Sequence, residues 1–338
     1  MRKGRATIKD LAKALNVSVS TVSRALSNHP DVSEETRKRV QELAQMLHYS
    51  PNLQAKYLRT HSSGIVALIL PEINMFFTPE LMNGVNHFLE EEGYSLMVLL
   101  SDNSLAKEQK LINYCVKLAV DGVMVSLSKE TDSLSHLEEL TLSGIPTILL
   151  DRVLKSSLYP TISINGEDAA YNAATYLIEK GHKNVLGLFG YPGLQITKLR
   201  IKGFQKAFEE KGIKLETSRI ITIDDVKKID DVLDIILSIK ELSAIFTMSD
   251  ELLAKIYHFL LKYKYEIPDD ISLVSISDGE LPYHLYPRTT HILHSGYNTG
   301  FRAASSLMKL IRKEELPTWN YELQTQLIEL GSVGLFEP

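Results

Sequence analysis

The chain has 338 residues, a formal net charge of −5, 44% hydrophobic residues and one cysteine; this length calls for two or three packed cores, and a lone thiol excludes an intrachain disulfide framework. No apolar run reaches the roughly eighteen residues of a membrane span and no hydrophobic signal region opens the sequence, so the expected location is cytoplasmic, without a membrane partner. The charge is unevenly spread: residues 1–61 hold eleven Lys or Arg and five acids, a net +6, which leaves −11 on the remainder. A basic head attracts phosphate while an acidic body is repelled by it.

Within the head, Ile8, Leu11, Ala12 and Leu15 recur at helical steps and predict a helix with one buried face. Thr7 and Asp10 suit a capping box at its start. Asn16-Val17-Ser18 breaks the pattern, and Ser18 is placed to cap a second helix that buries Val22, Ala25 and Leu26. Val19, Ser20, Thr21, Ser23 and Arg24 stay outside that core. Ser33 caps a third helix, with Glu34 and Glu35 in its first turn and Val40, Leu43, Ala44 and Leu47 turned inward. Three such helices make a helix-turn-helix domain over residues 1–50, whose second helix fits the major groove of DNA.

Residues 51–62 read as a hinge and linker. Beyond the polar His61-Ser62-Ser63-Gly64, residues 65–70 form a continuous apolar run, the mark of a strand buried on both faces. A helix over 80–91, a strand over 95–100, a helix over 107–119 and a strand over 122–126 follow, then a helix near 135–142 and a strand over 147–151. Cys115 falls in the apolar helix and is expected to be buried and inert. A second run begins near residue 162: helix 168–180, strand 185–189, helix 197–211, strand 219–223, helix 230–239, strand 244–247, helix 252–262 and strand 272–276. A last helix over 300–311 and short terminal strands close the chain. Alternation of this kind predicts two doubly wound α/β lobes with a cleft lined by loops at the carboxyl ends of the strands. The lobes are expected at about 63–161 with 291–322, and about 162–290 with 323–338.

The head resembles the lac/gal repressor family, whose signature is close to T-I-x-D-[IV]-A-x-x-A-x-V-S-x-x-T-V-S-R-x-L. Thr7-Ile8-Lys9-Asp10-Leu11-Ala12 and Val17-Ser18-Val19-Ser20-Thr21-Val22-Ser23-Arg24 carry it here. Tyr49-Ser50-Pro51-Asn52-Leu53-Gln54-Ala55-Lys56-Tyr57-Leu58 is similar to the family hinge, in register and ahead of the right kind of body. The resemblance implies two Rossmann-like lobes of periplasmic-binding-protein type joined by three crossovers. It also implies base reading through Val19, Ser20 and Arg24. Arg24 can pair bidentately with guanine, and Val19 offers only apolar contact. Thr7, Thr21, Ser23 and Asn28 suit phosphate contacts, with capping or turn chemistry the equal alternative. In the hinge, Tyr49, Asn52, Ala55, Lys56 and Leu58 are the DNA candidates. A segment this short is unstable as an isolated helix, so by resemblance it folds on the operator, where Leu58 wedges into the minor groove; packing of Leu58 on the body is the alternative. Lys56 stands where the family has arginine.

Position along the strands nominates an effector pocket: Phe76, Phe77, Asp102, Asp151 and Arg152 from one lobe, with Tyr191, Arg200, Ser249, Asp250, Ser277 and Asp278 from the other. Aromatic faces with carboxylate, hydroxyl and guanidinium groups suit a sugar, although each could instead serve as a helix cap or ion pair, as Asp151-Arg152 illustrates. Arg200 matches the family's ligand-binding arginine. Ser249-Asp250 replaces the usual Asn-Asp, and Ser275-Ile276-Ser277 replaces Gly-[FY]-Asp, so a hydroxyl stands where the family has a carboxylate. No phosphate loop, zinc-protease motif or nucleophile elbow occurs, and Gly187 to Gly193 has the wrong spacing for a dinucleotide fingerprint. No metal, cofactor or catalytic residue is expected. The expectation is a homodimeric regulator, a repressor of carbohydrate-utilisation genes on a pseudo-palindromic operator, without a heptad tail for tetramerisation. A solute-binding protein, a sugar-processing enzyme or an architectural DNA-binding protein are the rivals.

Overall fold

A computed structural model of the chain describes residues 6–47, 49, 62–224, 239 and 241–336. The chain divides into two compact units, Met1–Ser63 and Gly64–Pro338. The expected helix over 230–239 up to residue 238, the hinge residues Asn52, Ala55, Lys56 and Leu58, and the basic Arg2, Lys3 and Arg5 lie outside the described residues.

In the first unit, α1 (Ile8–Leu15), α2 (Val19–Leu26) and α3 (Glu34–Met46) close around Leu11, Ala12, Val22, Ala25, Val32, Val40 and Ala44. The Thr7 hydroxyl accepts from the Asp10 N–H at 3.3 Å while the Asp10 carboxylate accepts from the Thr7 N–H at 2.8 Å, so both ends of the capping box are made. Asn16 ends α1 in the left-handed region, where its short polar side chain is tolerated. The Ser18 hydroxyl accepts from the Thr21 N–H at 3.0 Å and starts α2. Ser18→Ala is expected to cost about 1 kcal/mol of head stability, read as a lower thermal midpoint of the head; an unchanged midpoint would mean that the cap carries no energy.

Leu47 was expected inward but is 40% exposed. Helix α3 stops at Met46, Leu47 caps it, and the chain turns so that the Tyr49 N–H donates to the Ala44 carbonyl at 2.8 Å. Tyr49 then packs against the head core in place of Leu47, and burial raises its phenol pKa.

The second unit holds two six-stranded sheets of the same order. The first comprises β1 (Ile65–Leu70), β2 (Ser95–Leu100), β3 (Gly122–Val125), β4 (Thr147–Leu150), β5 (Thr161–Ile164) and β11 (Asn320–Leu323), arranged 2-1-3-4-5-11 and parallel throughout. The second comprises β6 (Val185–Phe189), β7 (Ile220–Thr222), β8 (Ala244–Thr247), β9 (Ser272–Ser277), β10 (Thr290–Leu293) and β12 (Gln326–Ile328), arranged 7-6-8-9-10-12 with only β12 antiparallel among the described pairs. Strand order reverses at β1/β3 and at β6/β8, the switch points where such sheets open a crevice.

In the first lobe, α4 (Phe77–Glu91) packs on α11 (Gly296–Ile311), with α5 (Leu105–Leu118) and α6 (Glu138–Leu142) also in this lobe. In the second, α7 (Gly166–Glu179) packs on α8 (Gln195–Glu210), and α9 (Asp250–Lys262) and the short α10 (Leu281–His284) complete it. Cys115 on α5 is buried, and burial pushes its thiol up to about 12, which keeps it protonated.

The expected lobe boundaries need correcting at three points. Residues 162–164 and Leu323, assigned to the second lobe, belong to β5 and β11 of the first sheet; residues 291–293, assigned to the first, belong to β10 of the second. The chain crosses between lobes three times, after β5, after β10 and between β11 and β12, each time on leaving a strand of one sheet for an element of the other lobe. No helix among the described residues is long and apolar enough to cross a membrane.

Candidate functional sites in the head and the cleft

On α2, the inward spacing of Val22 and Ala25 turns the other residues outward. Val19 is 42% exposed, Ser20 and Arg24 are exposed, and Thr21 and Ser23 are half-buried. The Ser18 hydroxyl lies 2.6 Å from that of Ser20 and 2.8 Å from that of Thr21, so the hydroxyls at the helix start form one cluster. Arg24 reaches Asp31 at 3.8 Å, with both side chains more than half exposed; such a pair holds little energy and leaves the guanidinium free to exchange partners. Thr7 gives its hydroxyl to the Asp10 carboxylate at 2.7 Å, a hydrogen bond that lowers the Asp10 pKa. Asn28 sits in the left-handed region at the end of α2, and its side-chain oxygen accepts from the Gln41 amide at 3.0 Å. Both side chains are therefore engaged in capping and turn contacts within the head.

Between the lobes lies a cavity of about 430 Å³. Glu72, Asn74, Met75 and Phe77 reach it from beyond β1, Asn103 from β2, Lys129 from β3, and Asp151 and Arg152 from β4. The second lobe supplies Tyr191, Thr197 and Arg200 beyond β6, Asp224 beyond β7, Ser249, Asp250 and Glu251 beyond β8, Ser277 and Asp278 at the end of β9, and His294 beyond β10. Every wall is thus built at strand carboxyl ends, as the alternating topology requires.

Nine of the eleven residues nominated for the pocket meet there, and two do not. Phe76 precedes α4, exposed, with its N–H donating to the Glu251 carboxylate across the cleft at 3.0 Å. Asp102 takes a left-handed conformation on leaving β2 and turns to the surface, where it pairs with Lys107; the next residue, Asn103, faces the cavity instead. Glu72, Asn103, Glu251 and His294 went unrecognised. No motif marks them, and their one signal was position just after a strand.

On the first-lobe wall, Arg152 donates to the Asn103 side-chain oxygen at 2.7 Å and to Glu72 at 3.3 Å, and Asn103 donates to Glu72 at 3.1 Å. Asp151 accepts from the Ser126 hydroxyl at 3.2 Å. Burial raises its pKa against the pull of Arg152 and Arg200. Arg200 is buried and donates to the Met248 carbonyl at 2.7 Å, while its Nε has no partner among the described residues. Burial lowers its pKa to about 10, opposed mainly by Asp151, so it stays charged at neutral pH. His294 packs on Phe77 with ring centroids 4.3 Å apart and the rings tilted, and its Nε2 has no partner among the described residues. Burial, then the charge of Arg200, holds its pKa well below the usual value, so the ring is neutral. Lys129 lies over the Tyr191 ring, 5.8 Å from its centroid, a second contact from lobe to lobe.

Ser277, at the position where the resemblance implies a carboxylate, accepts from the Gly279 N–H at 3.0 Å and shapes the turn. The carboxylates come from its neighbours. Asp250 is 4% exposed and accepts from the Asp278 N–H at 3.2 Å; Asp278 accepts from the Glu280 N–H at 3.1 Å. Each keeps one buried oxygen without a partner among the described residues. Burial pushes Asp250 up to about 7 and Asp278 up to about 6. Because the folded Asp250 holds its proton above the unfolded value near 3.8, stability falls as pH rises from about 4 through about 7. Asp250→Asn is therefore expected to gain on the parent protein in denaturation midpoint as the pH is raised from 5 to 8, with Asp278 and Asp151 leaving part of the slope. A constant difference between the two proteins would exclude burial of this carboxylate as a cause.

Among the described residues no group of three or more His, Cys, Asp or Glu is placed to hold a metal ion. Residues 7–52 match the family described as "Bacterial regulatory proteins, lacI family", and residues 174–333 match "Periplasmic binding protein-like domain". Catabolite control protein A of Priestia megaterium is 29% identical over 91% of this chain and 93% of its own. The ribose operon repressor of Halalkalibacterium halodurans is 30% identical over 95% of each chain. The lac repressor dimer bound to operator and the anti-inducer ONPF superposes with a TM-score of 0.85 at 18% identity, covering 98% of this chain and 100% of that one. A helix-turn-helix head and a two-lobed α/β body, matched over nearly their whole length by regulators, place the chain in the lacI family of bacterial regulatory proteins.

Proposed function

We propose that this lacI-family chain is a homodimeric repressor whose affinity for a pseudo-palindromic operator is set by a small polyhydroxylated effector in the inter-lobe cavity, and that it controls genes of carbohydrate use. The observation that carries the effector reading is the cavity itself. Arg200, Asp250, Asp278 and His294 line it, and each carries a buried polar atom without a partner among the described residues; such groups are costly unless a ligand satisfies them. The aromatic faces of Phe77 and Tyr191 beside those donors and acceptors suit a sugar. The similarity to a ribose operon repressor supports the carbohydrate assignment.

In this reading Arg24 reads guanine and Val19 and Ser20 contact neighbouring base edges, while Thr21 and Ser23, with Thr7 and Asn28 at the flanks, set the head on the phosphates. Tyr49, Asn52, Ala55 and Lys56 belong to the hinge contact, and Leu58 with its twin opens the operator centre. Ligand in the cleft changes lobe closure, which the Phe76–Glu251 and Lys129–Tyr191 contacts bridge, and so changes the hinge separation. This requires the ligand to favour one body conformation over the other. Selection of bound sequences from random duplex DNA with the full-length protein tests the reading. An enriched palindrome, weakened by Leu58→Ala, is expected. No enriched motif at low salt, with or without cell extract, would refute it.

A further inference from the structure

The two walls of the cavity differ in charge. On the first-lobe wall, Arg152 and Lys129 face Glu72 and Asp151. On the second-lobe wall, Asp224, Asp250, Glu251 and Asp278 stand against one base, Arg200. That base is already committed, donating to the Met248 carbonyl with Asp151 as its main charge partner. Glu251 takes the Phe76 N–H from the opposite lobe. Asp250, which acts on Arg200 less than Asp151 does, and Asp278 remain, linked by one hydrogen bond and each with a buried oxygen that has no partner among the described residues.

Two adjoining carboxylates with free oxygens form a receptor for a cation, because a buried charge needs a charged and hydrogen-bonded partner. A ligand with hydroxyl groups alone would offer these two carboxyls no charged partner. Resting on the effector reading above, we propose that the effector is an amino sugar of mono- or disaccharide size, and that Asp250 and Asp278 receive its protonated amine. A cavity of about 430 Å³ accommodates ligands of that size. The ammonium group would also draw both carboxyls back to their ionised forms, which burial alone disfavours. Arg152 and Asn103 then face the sugar hydroxyls from the first lobe, and Phe77 and Tyr191 its apolar faces.

The test is calorimetric titration of the full-length protein with glucosamine, galactosamine and mannosamine, each against its parent hexose and its N-acetyl derivative, with cellobiose and maltose as neutral disaccharides. At least one amine is expected to bind ~10-fold tighter than both its uncharged counterparts. Asp250→Asn is expected to bring that preference within about threefold, and Asp278→Asn to reduce it; the second variant, checked by circular dichroism, carries the test if the first misfolds. A neutral sugar bound as tightly as any amine would overturn this inference and leave the effector reading standing. Binding of no sugar, charged or neutral, would overturn both. An amine preference that survives both substitutions would overturn the assignment to these carboxylates.

Discussion

Gly203→Ala is expected to lower the stability of the second lobe by about 3 kcal/mol. A methyl group at Gly203 of α8 would stand 1.9 Å from the Glu167 carbonyl oxygen and 2.8 Å from its carbonyl carbon. The obstacle is the backbone of α7, so no rotamer change relieves it and one helix must move. These two helices share the most extensive packing in the lobe, over Ala170, Ala173, Ala174, Phe204 and Ala207, and a displacement there loosens many close contacts together. The check is the guanidinium midpoint against Gln205→Ala, an exposed neighbour expected to stay within about 0.5 kcal/mol. Equal midpoints for the two variants would show that the helices are less tightly apposed than described.

Arg24→Ala is expected to relax operator specificity at one base pair of each half-site by about 1–3 kcal/mol. The side chain is more than half exposed on the outward face of α2 and, among the described residues, pairs with Asp31 at the surface, so little must be broken when it turns to a base. Affinities for the selected operator and its single-base variants, measured for both proteins, decide the matter. A uniform weakening across all sequences, with a shallower salt dependence, would instead assign Arg24 to a phosphate.

Much of the fold could be read from periodicity, because most strands are short apolar runs and most helices are amphipathic. The departures have physical causes. β10 was not recognised because Thr290 and His291 are polar yet buried; Ser332 and Leu330 satisfy Thr290, and the Thr289 carbonyl lies 2.9 Å from His291 Nδ1. Helix α11 begins a turn before the expected residue 300, and the missing side chains of Gly296 and Gly300 let α4 approach: a Cβ on Gly300 would meet the Leu81 carbonyl oxygen at 2.1 Å. The strands that cross between sheets look like any other strand, so sequence misplaces β5 and the end of β10 by lobe.

For the cavity, strand ends gave the right neighbourhood, but a left-handed residue such as Asp102 turns the chain by one position and exchanges which side chain faces inward. Nothing beyond their position after a strand marks Glu72 and Glu251. Their partners, Arg152 and the Phe76 N–H, are distant in sequence and meet them only after folding.

The most direct test of effector control is the dissociation constant of the selected operator for the full-length protein, titrated with and without a saturating cavity ligand found by calorimetry, and repeated with Arg200→Ala. A coupled protein should change its operator affinity roughly 5- to 150-fold when ligand is present, and Arg200→Ala should abolish the change at the same ligand concentration. An operator affinity that is the same with the cavity occupied and empty would contradict the coupling and leave a DNA-binding protein whose cleft does not speak to its head.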